Sequence, residues 1–342
     1  MLPQIGPRAF LRAGQVALGL VVLNIVSGAA VRLSDSGLGC PDWPDCSVHH
    51  LTPPLALHPA IEFSNRLVVV ALCLAAATVV LLALRRQPRR RDLTWLSAGL
   101  IGGVLAEAVL GGVVVYSHLN PYVVMTHFMV GIGLLTVAVV LVLRAGRSAQ
   151  AGVPMVGAGV RRLGRLMTGV LVLAIAAGTA TTGAGPHAGG KGAKRLPVPL
   201  VDMARTHAEI VIVLVALTLG LLYMLETTKA PATVTTRARL LLAAMAAQGV
   251  VGYTQYFSHL PPLLVGVHVF GVTILWTAML WFYDGLFHHP ADDAAAADAG
   301  SSSGAAVVTP PVGAAAASSA APSAVSAVAP AGAPPAVSGT GR

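Results

Sequence analysis

Charged residues are scarce in this chain. Of its 342 residues, 10% are charged and 55% are hydrophobic, whereas a soluble domain carries about 25% charged residues. Acidic residues are fewer than basic ones, 13 against 22, which gives a formal net charge of +9 at pH 7. With a mean hydropathy of +0.76, the composition is typical of a membrane protein and argues against a soluble domain.

Cysteine and aromatic residues are also rare. The three cysteines, Cys40, Cys46 and Cys73, do not form a zinc-type cluster. Aromatic residues make up 5% of the chain and do not alternate with basic ones as they do in nucleic-acid-binding segments. We therefore expect no nucleic-acid partner.

The chain does contain long apolar runs. A membrane helix needs about 20 predominantly apolar residues, and eight runs approach or reach this length. The first is longer than the apolar core of a signal peptide, so we interpret it as a span and not as a cleaved leader. The eight predicted spans are 10–31, 62–84, 94–116, 122–143, 163–183, 206–225, 237–257 and 263–283.

Lys and Arg are distributed unevenly between the two sides that eight spans would create. Fifteen fall on the side of the N-terminus and six on the other. Because basic residues accumulate on the cytoplasmic side, both termini are predicted to be cytoplasmic, in a multi-pass protein of the cell membrane. Residues 290–342, rich in Ala, Pro and Ser, are predicted to be a disordered cytoplasmic tail.

The sequence repeats internally. "GGVVVYSHLNPYVVMTHFMVG" (111–131) aligns with "VVGYTQYFSHLPPLLVGVHVFG" (250–271), so that His118 and His127 recur as His259 and His268. More weakly, "SGAAVRLSDSGLG" (27–39) resembles "AGTATTGAGPHAGG" (177–190). Spans 1–4 therefore correspond to spans 5–8, and an even number of spans in each half makes the repeats parallel.

This repeat predicts the architecture. We expect an all-α polytopic membrane protein whose eight transmembrane helices form two pseudo-symmetric four-helix bundles. The first bundle is predicted over 10–145 and the second over 160–285.

Three histidines are expected at a similar depth in the membrane. His127 and His268 lie about six residues inside spans 4 and 8, roughly 9 Å below the outer end, and His207 lies near the outer end of span 6. A buried imidazole needs a partner. Haem iron would be an economical partner for His207 and His268, whereas hydrogen bonds to backbone carbonyls are the simpler alternative.

Two further histidines, His118 and His259, lie in the short outer loops just before prolines. They either orient the propionates of a haem or are merely solvated at the membrane interface. Both alternatives stay open from the sequence.

The loop between spans 1 and 2 carries "SGLGCPDWPDC". It faces the oxidising side, where a Cys40–Cys46 disulfide would persist as a structural link or a redox pair. Glu62 and Arg66 follow at i, i+4 spacing and either pair with each other on one helix face, or leave Glu62 facing a pocket, where it could accept protons or stabilise positive charge.

Two polar residues lie inside the spans at matching repeat positions. Glu107 in span 3 and Gln248 in span 7 are paired by the same alignment that pairs the histidines. The match predicts a shared structural hydrogen bond between helices.

Several of these segments together resemble the haem A synthase family, membrane oxidases that convert haem O to haem A for cytochrome oxidase. The resemblance covers residues 10–285 in order and depends on "GAAVRLSDSGLGCPDWPDC", "IEFSNR", "TGAGPHAGG", "THAEI" and the two histidine segments. It implies haem b, with its iron, between His207 and His268, and the substrate haem O in the first half with His127 as ligand. It also implies that Glu62 is the essential carboxylate and that the ring methyl is oxidised twice to a formyl group.

The chain departs from this family at two places. Many members have a His where this chain has Asn65, so the substrate haem is expected to be five-coordinate through His127, unless His58 reaches the iron. Many members also have a second outer cysteine pair after span 5, which is missing here, although His187 in that loop matches the family motif.

The resemblance further implies partners. The candidates are haem O synthase, cytochrome oxidase assembly factors, an unidentified electron acceptor and a second copy of the chain. Two other functions stay open, a dihaem electron-transfer cytochrome and a haem carrier or exporter. A cytochrome would need two ligands in both halves, and a transporter would need polar groups at the membrane midplane, where the spans have few.

Overall fold

Eight long α-helices form the part of the chain that the structure, a computed structural model, describes: residues 4–46, 52–190 and 192–289. Two short strands, β1 (Val153–Pro154) and β2 (Phe287–His288), pair antiparallel. The helices are α1 (Pro7–Leu33), α2 (Leu57–Arg85), α3 (Arg91–Tyr116), α4 (Pro121–Ala145), α5 (Ala158–Ala184), α6 (Leu200–Thr227), α7 (Ala232–Phe257) and α8 (Pro262–Asp284).

Each predicted span lies within one of these helices, and the helices extend the predicted spans by up to six residues at the N-terminal end and up to two at the C-terminal end. Seven of them are long and apolar enough to cross a membrane; α7 is the exception among the described helices. It is as long as its neighbours, but four Thr, two Gln and two Arg lower its hydropathy. The chain is therefore an all-helical multi-pass membrane protein. The predicted tail, 290–342, lies outside the described residues.

The repeated histidine segments fold in the same way. In both, the residue pair His-Leu has positive φ: 51° and 60° at His118 and Leu119, and 61° and 60° at His259 and Leu260. Non-glycine residues rarely adopt this conformation, so its recurrence at equivalent positions reflects the repeat. A proline then starts the next helix in each case, at the first turn, where its missing N–H costs nothing.

Helices contact one another both within and between the two halves of the sequence. Helices α1, α2, α3 and α4 contact one another in order, and α4 returns to α1; α5, α6, α7 and α8 repeat this pattern. Between the halves, α1 contacts α8, and α4 contacts both α5 and α8. Inside this interface the indole N–H of Trp276 donates to the hydroxyl of Thr136 at 2.9 Å.

Short connections make α2 antiparallel to α3, α3 to α4, α6 to α7 and α7 to α8, and a hydrogen bond from Gly37 to Gly189 joins the α1–α2 loop to the α5–α6 loop. The α1–α2, α3–α4, α5–α6 and α7–α8 connections therefore share one face, which we call the disulfide face because it carries Cys40 and Cys46. On the opposite face, Arg147 forms a salt bridge with Asp284 across the two halves, and β1 pairs with β2. The even-numbered helices all begin at the disulfide face, which sets the depth of their polar side chains.

Candidate functional site

The structure brings His207 and His268 together. They lie seven and six residues from the starts of α6 and α8, so both are roughly 10 Å from the disulfide face. Their ring centres are 6.4 Å apart, with an angle of 75° between the ring planes. Two helices of the second half thus present imidazoles to each other at one depth.

Hydrogen bonding fixes the tautomer of one ring. Nδ1 of His207 lies 2.9 Å from the carbonyl oxygen of Ala174 on α5. Because a carbonyl only accepts, Nδ1 carries the proton and the lone pair is on Nε2, the form that binds metals. The alternative predicted from the sequence, a His satisfied by a backbone carbonyl, is therefore present here and compatible with a metal ligand.

His268 is held differently. Its Nδ1 is buried without a hydrogen-bond partner among the described residues. Its backbone carbonyl accepts a 2.8 Å hydrogen bond from the side-chain amide of Gln248 on α7. The bond fixes the start of α8 to α7 and does not involve the imidazole.

The spacing of the two rings fits one metal ion between them. Metal–imidazole bonds of about 2 Å, with about 1.1 Å from ring nitrogen to ring centre, place two opposed ring centres about 6.3 Å apart. The observed separation is 6.4 Å. Glycines make room for both rings: a Cβ at Gly178 or at Gly252 would lie 3.2 Å from Cε1 of His207 or of His268, respectively.

Among its described residues, the first half has one histidine at the equivalent depth. His127 lies six residues from the start of α4, and its Nδ1 is 3.2 Å from a carboxylate oxygen of Glu107 on α3. A Cβ at Gly111 would lie 4.0 Å from its Nε2. The internal alignment pairs Gly111 with Gly252, so each repeat places a glycine beside its histidine.

Asn65 holds the place in the first half that His207 holds in the second. Its amide nitrogen donates to the hydroxyl of Ser27 at 2.8 Å, which donates to the carbonyl of Asn24 at 3.2 Å. The alignment of 27–39 with 177–190, continued toward the N-terminus, pairs Asn24 with Ala174, the acceptor of His207. A Cβ at Gly28 would lie 3.9 Å from Asn65, and Gly28 matches Gly178 in the same alignment.

Glu62 is buried at 6% exposure, and both of its carboxylate oxygens are bonded. One forms a 2.7 Å salt bridge with Arg66, and the other accepts the backbone N–H of Cys40 at 2.8 Å. The predicted pairing with Arg66 is therefore present. The carboxylate also fixes the start of α2 to residues 34–46, which contain Cys40 and Cys46 and which we call the disulfide loop. The sequence did not reveal this contact.

The disulfide between Cys40 and Cys46 is confirmed, and both residues are buried. Arg66 holds their loop by donating to backbone carbonyls at 2.7 to 3.3 Å; the acceptors are Cys40, Asp42, Pro44 and Asp45. Trp43 of the loop packs on Gly112, where a Cβ would lie 2.9 Å from its ring. The loop therefore packs against the start of α2 and the C-terminal end of α3.

The remaining predicted histidines lie apart from these pairs. His118 and His259 are exposed in the α3–α4 and α7–α8 turns. His58 contacts the hydroxyl of Ser36 at 3.0 Å. Nε2 of His187 bonds the carbonyl of Leu260 at 2.8 Å, and so connects the α5–α6 loop to the α7–α8 turn.

Arg32, at the end of α1, was not singled out from the sequence. Its guanidinium donates to the carbonyls of His187 at 2.7 Å and Thr182 at 2.9 Å, which joins the first half to the α5–α6 loop. The signal that could have found it is its charge, since it is a basic residue directly after an apolar run, on the side with few basic residues.

A family model described as cytochrome oxidase assembly protein, COX15-CtaA, matches residues 14–60 and 54–189. Together the two matches cover just over half of the chain. The chain belongs to the COX15-CtaA family. The matched part includes the disulfide loop, Glu62, Asn65 and His127, and ends shortly before α6.

Curated proteins named Heme A synthase are similar to parts of this COX15-CtaA chain. The protein of Geobacillus kaustophilus is 31% identical over 129 residues, which is 36% of this chain and 40% of that protein. The protein of Geobacillus thermodenitrificans is 32% identical over 130 residues, with the same shares. The protein of Shewanella oneidensis is 31% identical over 147 residues, or 38% and 44% of the two chains. The matched segment thus spans less than half the length of these relatives.

Proposed function

We propose that this protein is a haem A synthase, which oxidises a ring methyl of haem O to the formyl group of haem A for cytochrome oxidase. Membership of the COX15-CtaA family and the names of the similar proteins support this activity. The observation on which the proposal depends is the facing pair His207 and His268, whose ring centres are 6.4 Å apart, a separation at which both imidazoles would be able to bind the iron of one haem.

The two halves are two four-helix bundles with different roles. The second, over 160–285, holds haem b between His207 and His268; when bound, haem b supplies one-electron transfer. The first, over 10–145, receives haem O with His127 as its only imidazole ligand. The closed ring of helix contacts in each half supports this division.

Asn65 keeps one side of the substrate site free of a strong ligand. An amide is a poor iron ligand, and here it is engaged with Ser27. The half with a single imidazole is therefore the one suited to chemistry, while the half with two is suited to electron transfer. His118 and His259, exposed above the two sites, are positioned for the propionates of the two porphyrins.

Glu62 is the carboxylate that serves the oxidation. Its bonds to Arg66 and to the N–H of Cys40 hold it in a fixed orientation at the disulfide face. From there it accepts protons released as the methyl group is oxidised or stabilises positive charge at the reacting carbon.

The disulfide face is the outer face of the cell membrane, and both termini are cytoplasmic. The uneven distribution of Lys and Arg supports this orientation. Haem O arrives from haem O synthase, haem A passes to cytochrome oxidase assembly factors, and an electron acceptor takes the electrons. A second copy of the chain is a further candidate partner.

The function is tested by extracting the pigments of the purified protein and separating them by chromatography. We expect haem b together with haem O or haem A, and conversion of added haem O to haem A in membranes that contain the protein. Haem b alone in two equivalents, without conversion, would instead indicate an electron-transfer cytochrome. The cytochrome alternative is favoured by Glu62, because both of its carboxylate oxygens are already bonded. It is disfavoured by Asn65, because an amide is a poor iron ligand. Absence of any porphyrin would refute both functions.

Asn65→His should convert the substrate iron from five-coordinate to six-coordinate low spin. The imidazole would occupy the place equivalent to that of His207, where Gly28 leaves room and the carbonyl of Asn24 can accept its Nδ1–H. The measurement is the optical and paramagnetic resonance spectrum of protein loaded with haem.

Asn65→Ala is the matched control, because it removes the amide without adding a ligand. It should leave the iron five-coordinate. An unchanged spectrum in the histidine variant would show that position 65 does not face the iron.

A further inference from the structure

Glu107 is a buried carboxylate that the proposed oxidation does not use. It lies in the middle of α3 with 7% of its surface exposed. One of its oxygens has no hydrogen-bond partner among the described residues. Burying a carboxylate in a membrane helix is costly, and such residues are functional candidates by default.

The other carboxylate oxygen of Glu107 approaches the Nδ1 atom of the His127 ring. It lies 3.2 Å from Nδ1, within hydrogen-bond distance, but Nδ1 is not aligned for a hydrogen bond. Because the χ2 torsion of His is broad, a small rotation of the ring brings the N–H into line. The contact joins α3 to α4 directly behind the ligand of the first half.

The second half has an amide at the same position. Gln248 is the counterpart of Glu107 in the internal repeat, and its side chain also reaches the histidine on the next helix. It donates, however, to the backbone carbonyl of His268 and not to its ring. The equivalent residues therefore differ both in charge and in the part of the histidine that they contact.

We propose that Glu107 is a positioning residue that tunes His127. Its carboxylate accepts the Nδ1–H of the imidazole, which holds the lone pair on Nε2, and places a negative charge behind this ligand only. A carboxylate partner makes a ligating imidazole more basic and fixes its orientation. This inference rests on the proposed function, since it takes His127 to be the iron ligand of the first half.

The consequence is a stronger iron–His127 bond and a more stable ferric state in the first half than a neutral partner would give. His268, with no partner on Nδ1 among the described residues, lacks this tuning. The two sites thus differ at two pairs of equivalent positions. The first half has Asn65 where the second has His207, and Glu107 where the second has Gln248.

Glu107→Gln tests the proposal in protein loaded with haem b from added hemin. The amide is nearly isosteric and introduces the residue that the second half already has. In the reduced protein, only five-coordinate haem gives an iron–histidine stretching band in the Raman spectrum, so the band reports on His127. We expect the band to move to lower wavenumber and the midpoint potential of this haem to become more positive.

The low-spin haem of the second half is the internal control. It should keep its spectrum and potential in Glu107→Gln. An unmoved band, or equal changes in both haems, would overturn the proposal. Protein that binds no haem in either half would instead refute the proposed function, so the two failures are distinguishable.

A second test leaves Glu107 in place. In His127→Gly, added imidazole can take the place of the missing ligand, with its N–H toward Glu107. 1-Methylimidazole has no such N–H, and we expect it to restore the stretching band at least tenfold less effectively. In His268→Gly, whose Nδ1 position has no acceptor among the described residues, the two compounds should restore the low-spin spectrum about equally. Equal rescue of the first half by both would contradict the role of Glu107.

Discussion

His268→Ala is expected to abolish the low-spin haem spectrum of the purified protein. In the structure the ring centres of His268 and His207 are 6.4 Å apart, so a haem iron bound between them, as proposed, would keep a single protein ligand once one ring is removed. Low-spin iron requires strong ligands on both sides of the porphyrin. Optical and paramagnetic resonance spectra of the detergent-solubilised protein measure this loss directly.

Val267→Ala is the control for disturbance of α8. Val267 precedes His268 on the same helix but is 43% exposed on the apolar surface, so its truncation should leave the low-spin spectrum intact. Imidazole added to His268→Ala should enter the space of the missing ring and restore the signal. A low-spin spectrum that survives in His268→Ala without added imidazole would refute the assignment of the ligand.

Glu62→Gln is expected to lower the rate of haem A formation by about 10²-fold or more while haem stays bound, as is typical when an acid–base group is lost. The amide has nearly the size of the carboxylate and keeps one acceptor oxygen, but it is neutral and cannot take up a proton. Chromatography of the haems from membranes supplied with haem O gives the yield. Normal haem A formation would exclude the catalytic role.

Arg66→Ala separates this catalytic role from a role in holding the loop. The variant keeps the carboxylate of Glu62 but removes the guanidinium of Arg66. That guanidinium donates to Glu62 and to four backbone carbonyls of the loop. The Cys40–Cys46 disulfide should then be reduced faster by dithiothreitol than in the unchanged protein, whereas in Glu62→Gln its reduction should change much less. If both variants expose the disulfide equally and lose product equally, Glu62 serves only to hold the loop.

The helices could be predicted from the sequence because apolar runs of membrane length leave little choice of structure. The depth of His127 and His268 also followed, since prolines mark the starts of α4 and α8 and the rise per residue is fixed. The disulfide followed from its being the only close pair of cysteines.

Contacts that depend on how an irregular loop folds could not be predicted. The N–H of Cys40 reaches Glu62 only because the disulfide loop turns back over α2, and no pattern in the sequence encodes that turn. The sequence also could not show that Asn65 is connected to the carbonyl of Asn24 through the hydroxyl of Ser27. Nor could it show that Glu107 would approach the ring of His127 and not its backbone. The internal repeat paired Glu107 with Gln248, but only side-chain positions show that their targets differ.

The contacts across the two halves join them at both faces, through Arg32 on one and Arg147 on the other. Two separate identical subunits with the same arrangement would necessarily carry the same residue at both sites. Because both halves belong to one polypeptide, that restriction does not apply to this protein. One polypeptide can therefore keep asparagine at position 65 and histidine at position 207, and so carry different side chains at two equivalent places, which a homodimer could not do.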